Sequence, residues 1–202
     1  MIKKWELSVV IALIITISLS CFSFSAQCSD IRQQVLRLHI LANSDSSEDQ
    51  ALKLKVRDRL LSEAADLFKG AKTETDAANK ARERISQLQS IAQQEISEQG
   101  YDYPVKVEVA KTYFNTRTYD NVTLPAGEYE AVRVLIGKAG GKNWWCVMFP
   151  PMCVPAAVPE QEIDDILNEQ QVDIVTNKPK YEIKFKSVEI FQQLKQAVSD
   201  MF

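Results

Sequence analysis

With 202 residues, 46% of them hydrophobic and 25% charged, the chain has the size and composition of one folded domain with a real core, which excludes disorder throughout. A net charge of −3 with no clustered run of Lys and Arg argues against phosphate neutralisation on nucleic acid, and no polybasic patch is evident for anionic lipid. A single histidine and four cysteines with no CxxC pair exclude a Cys/His zinc site.

The N-terminus carries the clearest signal. Lys3 and Lys4 precede Leu7–Phe24, a run of 18 residues without a charge. A short basic segment followed by an apolar one reads as a secretory signal, with the small residues Ser23 and Ser25 permitting cleavage after Ser25. The same run, at about 1.5 Å per residue, is just long enough to span a bilayer as an uncleaved anchor. Both readings give one orientation, with the lysines on the cytoplasmic side and the remainder exported. Residues 1–25 are therefore a signal peptide or membrane anchor, 26–158 a globular domain, and 159–202 a tail with a strand and a helix.

Val35 to Ala42 alternates, with Leu36, Leu38 and Ile40 on one face and Val35, Arg37, His39 and Leu41 on the other, as a strand does. Turn formers Asn43 to Ser47 follow, and Ser47 with Gln50 has the form of a capping box. The spacing of Leu52, Val56, Leu60, Ala64 and Leu67 predicts a helix from about Glu48 to Lys69, stopped by Gly70. A second helix is predicted from about Asp76 to Gln99 on the stripe Ala78, Ala81, Ile85, Leu88, Ala92 and Ile96, stopped by Gly100.

After Pro104 the period changes to two, and Val105, Val107 and Val109 mark a half-exposed strand. A polar stretch from Asn115 to Gly127 separates it from the apolar run Tyr129 to Ile136. Gly137 to Asn143 contains three glycines and reads as a hairpin turn to a return strand, Trp144 to Phe149, which Pro150 and Pro151 end. In the tail, 160–169 reads as a short acidic helix and Gln171 to Lys180 as a linker. Tyr181 to Phe185 reads as a strand, and Ser187 caps a last helix with Ile190, Phe191, Leu194 and Val198. The fold class is α/β of the α+β kind: a small mixed sheet of about four strands with two amphipathic helices packed on it, preceded by the hydrophobic leader.

No segment forms a convincing active site, and no cofactor or metal is expected. His39 is the only histidine, sits in an apolar strand, and has no nucleophile motif near it. GKAGGK at 137–142 lacks the spacing and the hydroxyl of a phosphate loop. The unusual segment is Asn143 to Cys153, which concentrates two tryptophans, a phenylalanine, two methionines and two prolines. Consecutive tryptophans in a strand point to opposite faces, so one fills a core and the other covers a second face or stands out as an anchor for a partner. Cys146 and Cys153 either close a ring around the two prolines or pack as thiols.

Three blocks, LRLHILANSDSSEDQALKLKVRD (36–58), RTYDNVTLPAGEYEAVRVLIG (117–137) and GKNWWCVMFPPMC (141–153), resemble the stage II sporulation protein R family of endospore-forming bacteria. The resemblance implies an exported sporulation signal protein rather than an enzyme. Such a protein would be made in the forespore and act in the space between the forespore and mother-cell membranes, anchored to the forespore membrane if the leader stays. Its partner would be a membrane-embedded sporulation aspartic protease, whose activation triggers pro-sigma-E processing in the mother cell. The family implies no catalytic residue. From residue character alone, the candidate partner contacts are Asn43, Ser44, Asp45, Arg117, Tyr119, Trp144, Trp145, Phe149, Pro150, Pro151 and Met152. The competing readings are a secreted or anchored hydrolase using a Cys or carboxylate with His39, and a passive cell-envelope binding module.

Overall fold

The computed structural model describes residues 4–68, 70–119, 121–150 and 166–199. In chain order these form α1 (Lys4–Arg32), β1 (Leu36–Leu41), α2 (Ser47–Leu67), α3 (Glu74–Glu83) and α4 (Ile85–Glu98). Then come β2 (Val105–Phe114), β3 (Arg117–Tyr119), β4 (Val122–Leu124), β5 (Gly127–Ile136), β6 (Asn143–Phe149), α5 (Glu169–Thr176) and α6 (Lys178–Ser199).

Four strands make one mixed sheet in the order β2-β5-β1-β6, and β3 and β4 pair separately as a small hairpin. The central strands β1 and β5 are parallel, while β6 and β2 run antiparallel to them at the edges. A parallel pair needs cover on both faces, and both are covered. On one side Leu36, Leu38 and Ile40 meet Leu52, Val56 and Leu60 of α2, Ala77, Ala78 and Ala81 of α3, and Leu88, Ala92 and Ile96 of α4. On the other, Val35, Phe114, Tyr129, Ala131 and Val147 meet Phe24, Cys28 and Ile31 of α1, together with Leu124 of β4, Val175 of α5 and Phe185 of α6.

The leader is one continuous helix through Ser25. Its segment Ser8–Arg32 is long and apolar enough to cross a membrane, by length and composition. Trp5, Ile11, Leu13, Leu19 and Phe22 are exposed along it, whereas Phe24, Cys28 and Ile31 are buried in the second core. Arg32 closes the junction by donating from Nη1 to the Ala126 carbonyl at 3.1 Å.

Several expectations are corrected. The second helix is broken in two at Arg84, whose φ of −111° and ψ of 17° leave the helical region. The apolar spacing runs across that residue without interruption, so three helices rather than two cover the sheet. The helix after β1 is capped not by Ser47 but by Ser46, whose Oγ accepts from the Asp49 amide at 3.1 Å. The run from Asn115 to Gly127 holds the β3–β4 hairpin. The segments 129–136 and 144–149 are strands but not a hairpin, because β1 lies between them and bonds to both. The glycine segment instead crosses the end of β1: Gly141 donates to the Ala42 carbonyl at 3.0 Å and Lys142 to Asp45 Oδ1 at 2.6 Å.

The tail is helical where a linker and a strand were expected. Asn168 caps α5 with a reciprocal Gln171 box. Tyr181, Phe185 and Val188, spaced four and three apart, turn one side of α6 inward, while Ile183 between them is 86% exposed. Ser187 lies inside that helix and donates to the Lys184 carbonyl. The expected acidic helix at 160–169 falls mostly outside the described residues.

Candidate functional site

β6 directs its two tryptophans to opposite faces, as alternation requires. Trp144 joins the helix-side core, half-buried, with the Arg57 guanidinium 4.4 Å from its ring centre. Trp145, also half-buried, lies on the other face beside β1. The register sets His39 opposite Trp145, and the two rings stack at 3.9 Å with 7° between their planes. Phe114, from the end of β2, closes edge-on at 4.6 Å. His39 Nε2 and Asn143 Oδ1 are 2.7 Å apart, which fixes the imidazole in its plane. Burial lowers the His39 pKa, the Asn143 hydrogen bond opposes this, and the Arg133 charge pushes the same way as burial. The ring is thus held toward its neutral form.

Next to this stack Arg37 is fully buried. Its guanidinium sits 4.2 Å from the ring centre of Phe114, 4.8 Å from Tyr129 and 5.3 Å from Tyr119. Nε donates to the Cys146 carbonyl at 3.0 Å and Nη2 to the Tyr119 hydroxyl at 2.5 Å, while Nη1 has no hydrogen-bond partner. Among the described residues no carboxylate pairs with it; desolvation lowers its pKa, and ring faces and two acceptors stand in for water. The β3–β4 hairpin then brings Arg117 over Trp145, at 5.5 Å from the ring centre, with Arg117 exposed and Tyr119 half-buried.

The four-stranded sheet and the β3–β4 hairpin together therefore unite Arg117, Tyr119 and Trp145 of the candidate contacts, on a base of Arg37, His39 and Phe114. Sequence reading passed over those three as contributors. The available signal was a cation and a histidine on one face of a strand whose neighbours are all apolar. The other candidates lie elsewhere. Asn43 and Ser44 both donate to Asp49 Oδ2, at 2.8 and 2.5 Å, and Asn43 Oδ1 accepts from the Lys138 amide at 3.0 Å. Their polar groups hold the turn to α2 and the glycine segment together. Burial raises the Asp49 pKa, but the hydrogen bonds from Ser44, Asn43 and Tyr103 outweigh it and leave it lowered. Phe149 and Pro150 are buried, and Pro151 and Met152 lie outside the described residues.

The arrangement does not build a thiol–imidazole pair from Cys146. Cys146 lies opposite Leu38 and packs in the helix-side core, whereas His39 faces the other side of the sheet. Cys146 is disulfide-bonded, Cys21 and Cys28 carry free thiols, and Cys153 lies outside the described residues. No group of three or more His, Cys, Asp or Glu side chains suited to a metal ion occurs among the described residues.

The fold and this site define a mixed α/β domain on an apolar N-terminal helix, with an arginine–aromatic face and no thiol–imidazole pair between Cys146 and His39. The family model for stage II sporulation protein R matches residues 32–159, and the chain belongs to that family. It is 33% identical to stage II sporulation protein R of Bacillus subtilis (strain 168) over 186 residues, covering 85% of this chain and 83% of the relative. No solved structure matches it. Family membership supports a role in sporulation.

Proposed function

We propose that this protein is an exported signal, not an enzyme, which activates a membrane-embedded aspartic protease and so triggers pro-sigma-E processing across the two sporulation membranes. The observation that carries the reading is the Trp145 face. Trp145 is held from below by His39 and Phe114, and the exposed Arg117 lies over its ring. Trp, Tyr and Arg on a rigid base are the composition of residues that dominate protein–protein affinity. The stacked imidazole, held toward its neutral form, serves as a platform here, and Cys146 faces the other side of the sheet. Activation follows if this face binds the protease's working arrangement more tightly than its idle one.

The apolar α1 supports export, and the family supports sporulation as the setting. The test is co-expression of the chain, the protease and the sigma-E precursor in a host that does not sporulate. Processing is expected with the native chain and lost with Arg117→Glu, whose circular dichroism should match the native spectrum. Processing that proceeds equally without this chain overturns the proposal.

A further inference from the structure

The C-terminal helix carries an apolar face that no other described residue covers. On α6, Ile183, Ile190, Phe191, Leu194 and Val198 are 50 to 86% exposed. At about 100° per residue these five fall within an arc of about 100°, so they form one stripe. Tyr181, Phe185 and Val188 occupy a different side and pack on the domain. The helix carries five lysines against two glutamates in a chain that is acidic as a whole. Lys184 and Lys195 border one edge of the stripe and Lys186 the other, while Glu182 and Glu189 lie farther round. The expectation of no lysine cluster for anionic lipid thus misses a grouping that only the helix assembles.

The position of α6 says what covers the stripe. Tyr181 stacks on Phe24 of α1 at 5.6 Å, Phe185 meets the same ring edge-on at 5.4 Å, and Lys184 Nζ donates to Ser20 Oγ at 3.2 Å. Phe24 ends the charge-free run. Ser20 lies four residues inside it, about 6 Å at 1.5 Å per residue. Lys184 is therefore held at the depth where a lysine reaches from the acyl boundary to headgroup phosphates. An apolar stripe flanked by lysines at that level has the form of a helix lying in a membrane interface, immersed by about 5–10 Å.

We infer that α6 is an interfacial helix that lies on the anionic bilayer α1 enters, so that two elements rather than one hold this protein to the membrane. The arrangement also requires that the leader be retained, because cleavage after Ser25 would remove the Phe24 ring on which Tyr181 and Phe185 pack.

The test uses the full chain reconstituted in phosphatidylcholine–phosphatidylglycerol vesicles containing brominated lipid. A tryptophan is placed on the stripe by Phe191→Trp or on the opposite side by Gln196→Trp, each read against the native emission. Quenching at position 191 is expected to be about twofold stronger than at 196, and to weaken when Lys186→Glu and Lys195→Glu are added. Equal quenching at both positions, or none, overturns the inference. So does burial of position 191 that grows with protein concentration, which would put a second copy on the stripe. No protease enters the measurement, so its outcome is separate from that of the signalling proposal.

Discussion

His39 and Trp145 lie parallel at 3.9 Å across the β1–β6 pair, and the imidazole is held toward its neutral form by burial against this stack. A histidine whose folded pKa lies below the unfolded value of about 6.5 favours folding when neutral. That contribution is complete above the unfolded value and is lost as the pH falls from there through the folded pKa. Urea unfolding between about pH 7.5 and about pH 5 should therefore show a falling midpoint. His39→Gln should flatten the part of the slope due to this residue. A native protein and variant with identical slopes would show that His39 titrates alike in both states.

Arg37 separates a structural from a signalling role. Arg37→Ala leaves a cavity and removes the Nε hydrogen bond to the Cys146 carbonyl, and is expected to cost about 3 kcal/mol in urea unfolding. Arg37→Met keeps most of the volume and removes a charge that no carboxylate among the described residues offsets, so it should cost only about 1 kcal/mol. If the arginine serves mainly to seat the β3–β4 hairpin, the methionine variant should fold and still lose precursor processing. The loss would come from release of Tyr119 and displacement of Arg117. Equal stability losses in the two variants would contradict this account.

How much could be read in advance depended on whether pattern and packing shared one period. β1 was legible because Leu36, Leu38 and Ile40 alternate in a strand that is buried on both faces. The alternation of Tyr181, Ile183 and Phe185 suggested a strand as well, yet their partners lie on α1. Phe24 selects Tyr181 and Phe185, which also fit a helical spacing, and leaves Ile183 in the open. The three-glycine segment looked like a hairpin because nothing local shows that β1, a hundred residues earlier in the chain, inserts between β5 and β6. The site was half legible for the same reason. Trp145, Arg117 and Tyr119 stand out by residue type, while Arg37, His39 and Phe114 matter only once three separate strands meet.

Gly141 and Gly140 offer a matched pair. A Cβ on Gly141 would lie 2.2 Å from the Ser44 carbonyl oxygen and 2.5 Å from its carbon, so backbone would have to move. That movement breaks the Gly141–Ala42 bond and disturbs the turn that begins α2. Gly141→Ala is expected to cost about 2 kcal/mol. A Cβ on Gly140 would meet nothing closer than 3.6 Å, and Gly140→Ala should stay within about 0.5 kcal/mol of native. Thermal or urea unfolding of the two variants side by side checks the difference, and equal effects would show that the loop yields freely.

Cys146 is disulfide-bonded while Cys21 and Cys28 are free, and a protein disulfide persists in an oxidising compartment rather than in a cytosol. Peptide mapping without reduction should recover Cys146 linked to Cys153 in protein exported through α1, with the two α1 thiols open to alkylation after unfolding. A ring of this length restrains the unfolded chain by about 2.5 kcal/mol on the chain-entropy model. Reduction should therefore lower the unfolding midpoint, and Cys146→Ser should show the same midpoint with or without reductant. The bond begins at a residue whose carbonyl Arg37 holds and whose side chain packs in the helix-side core, so its loss should loosen that core along β6. A Cys146→Ser protein that supports precursor processing at the native level would separate the bond from the signal.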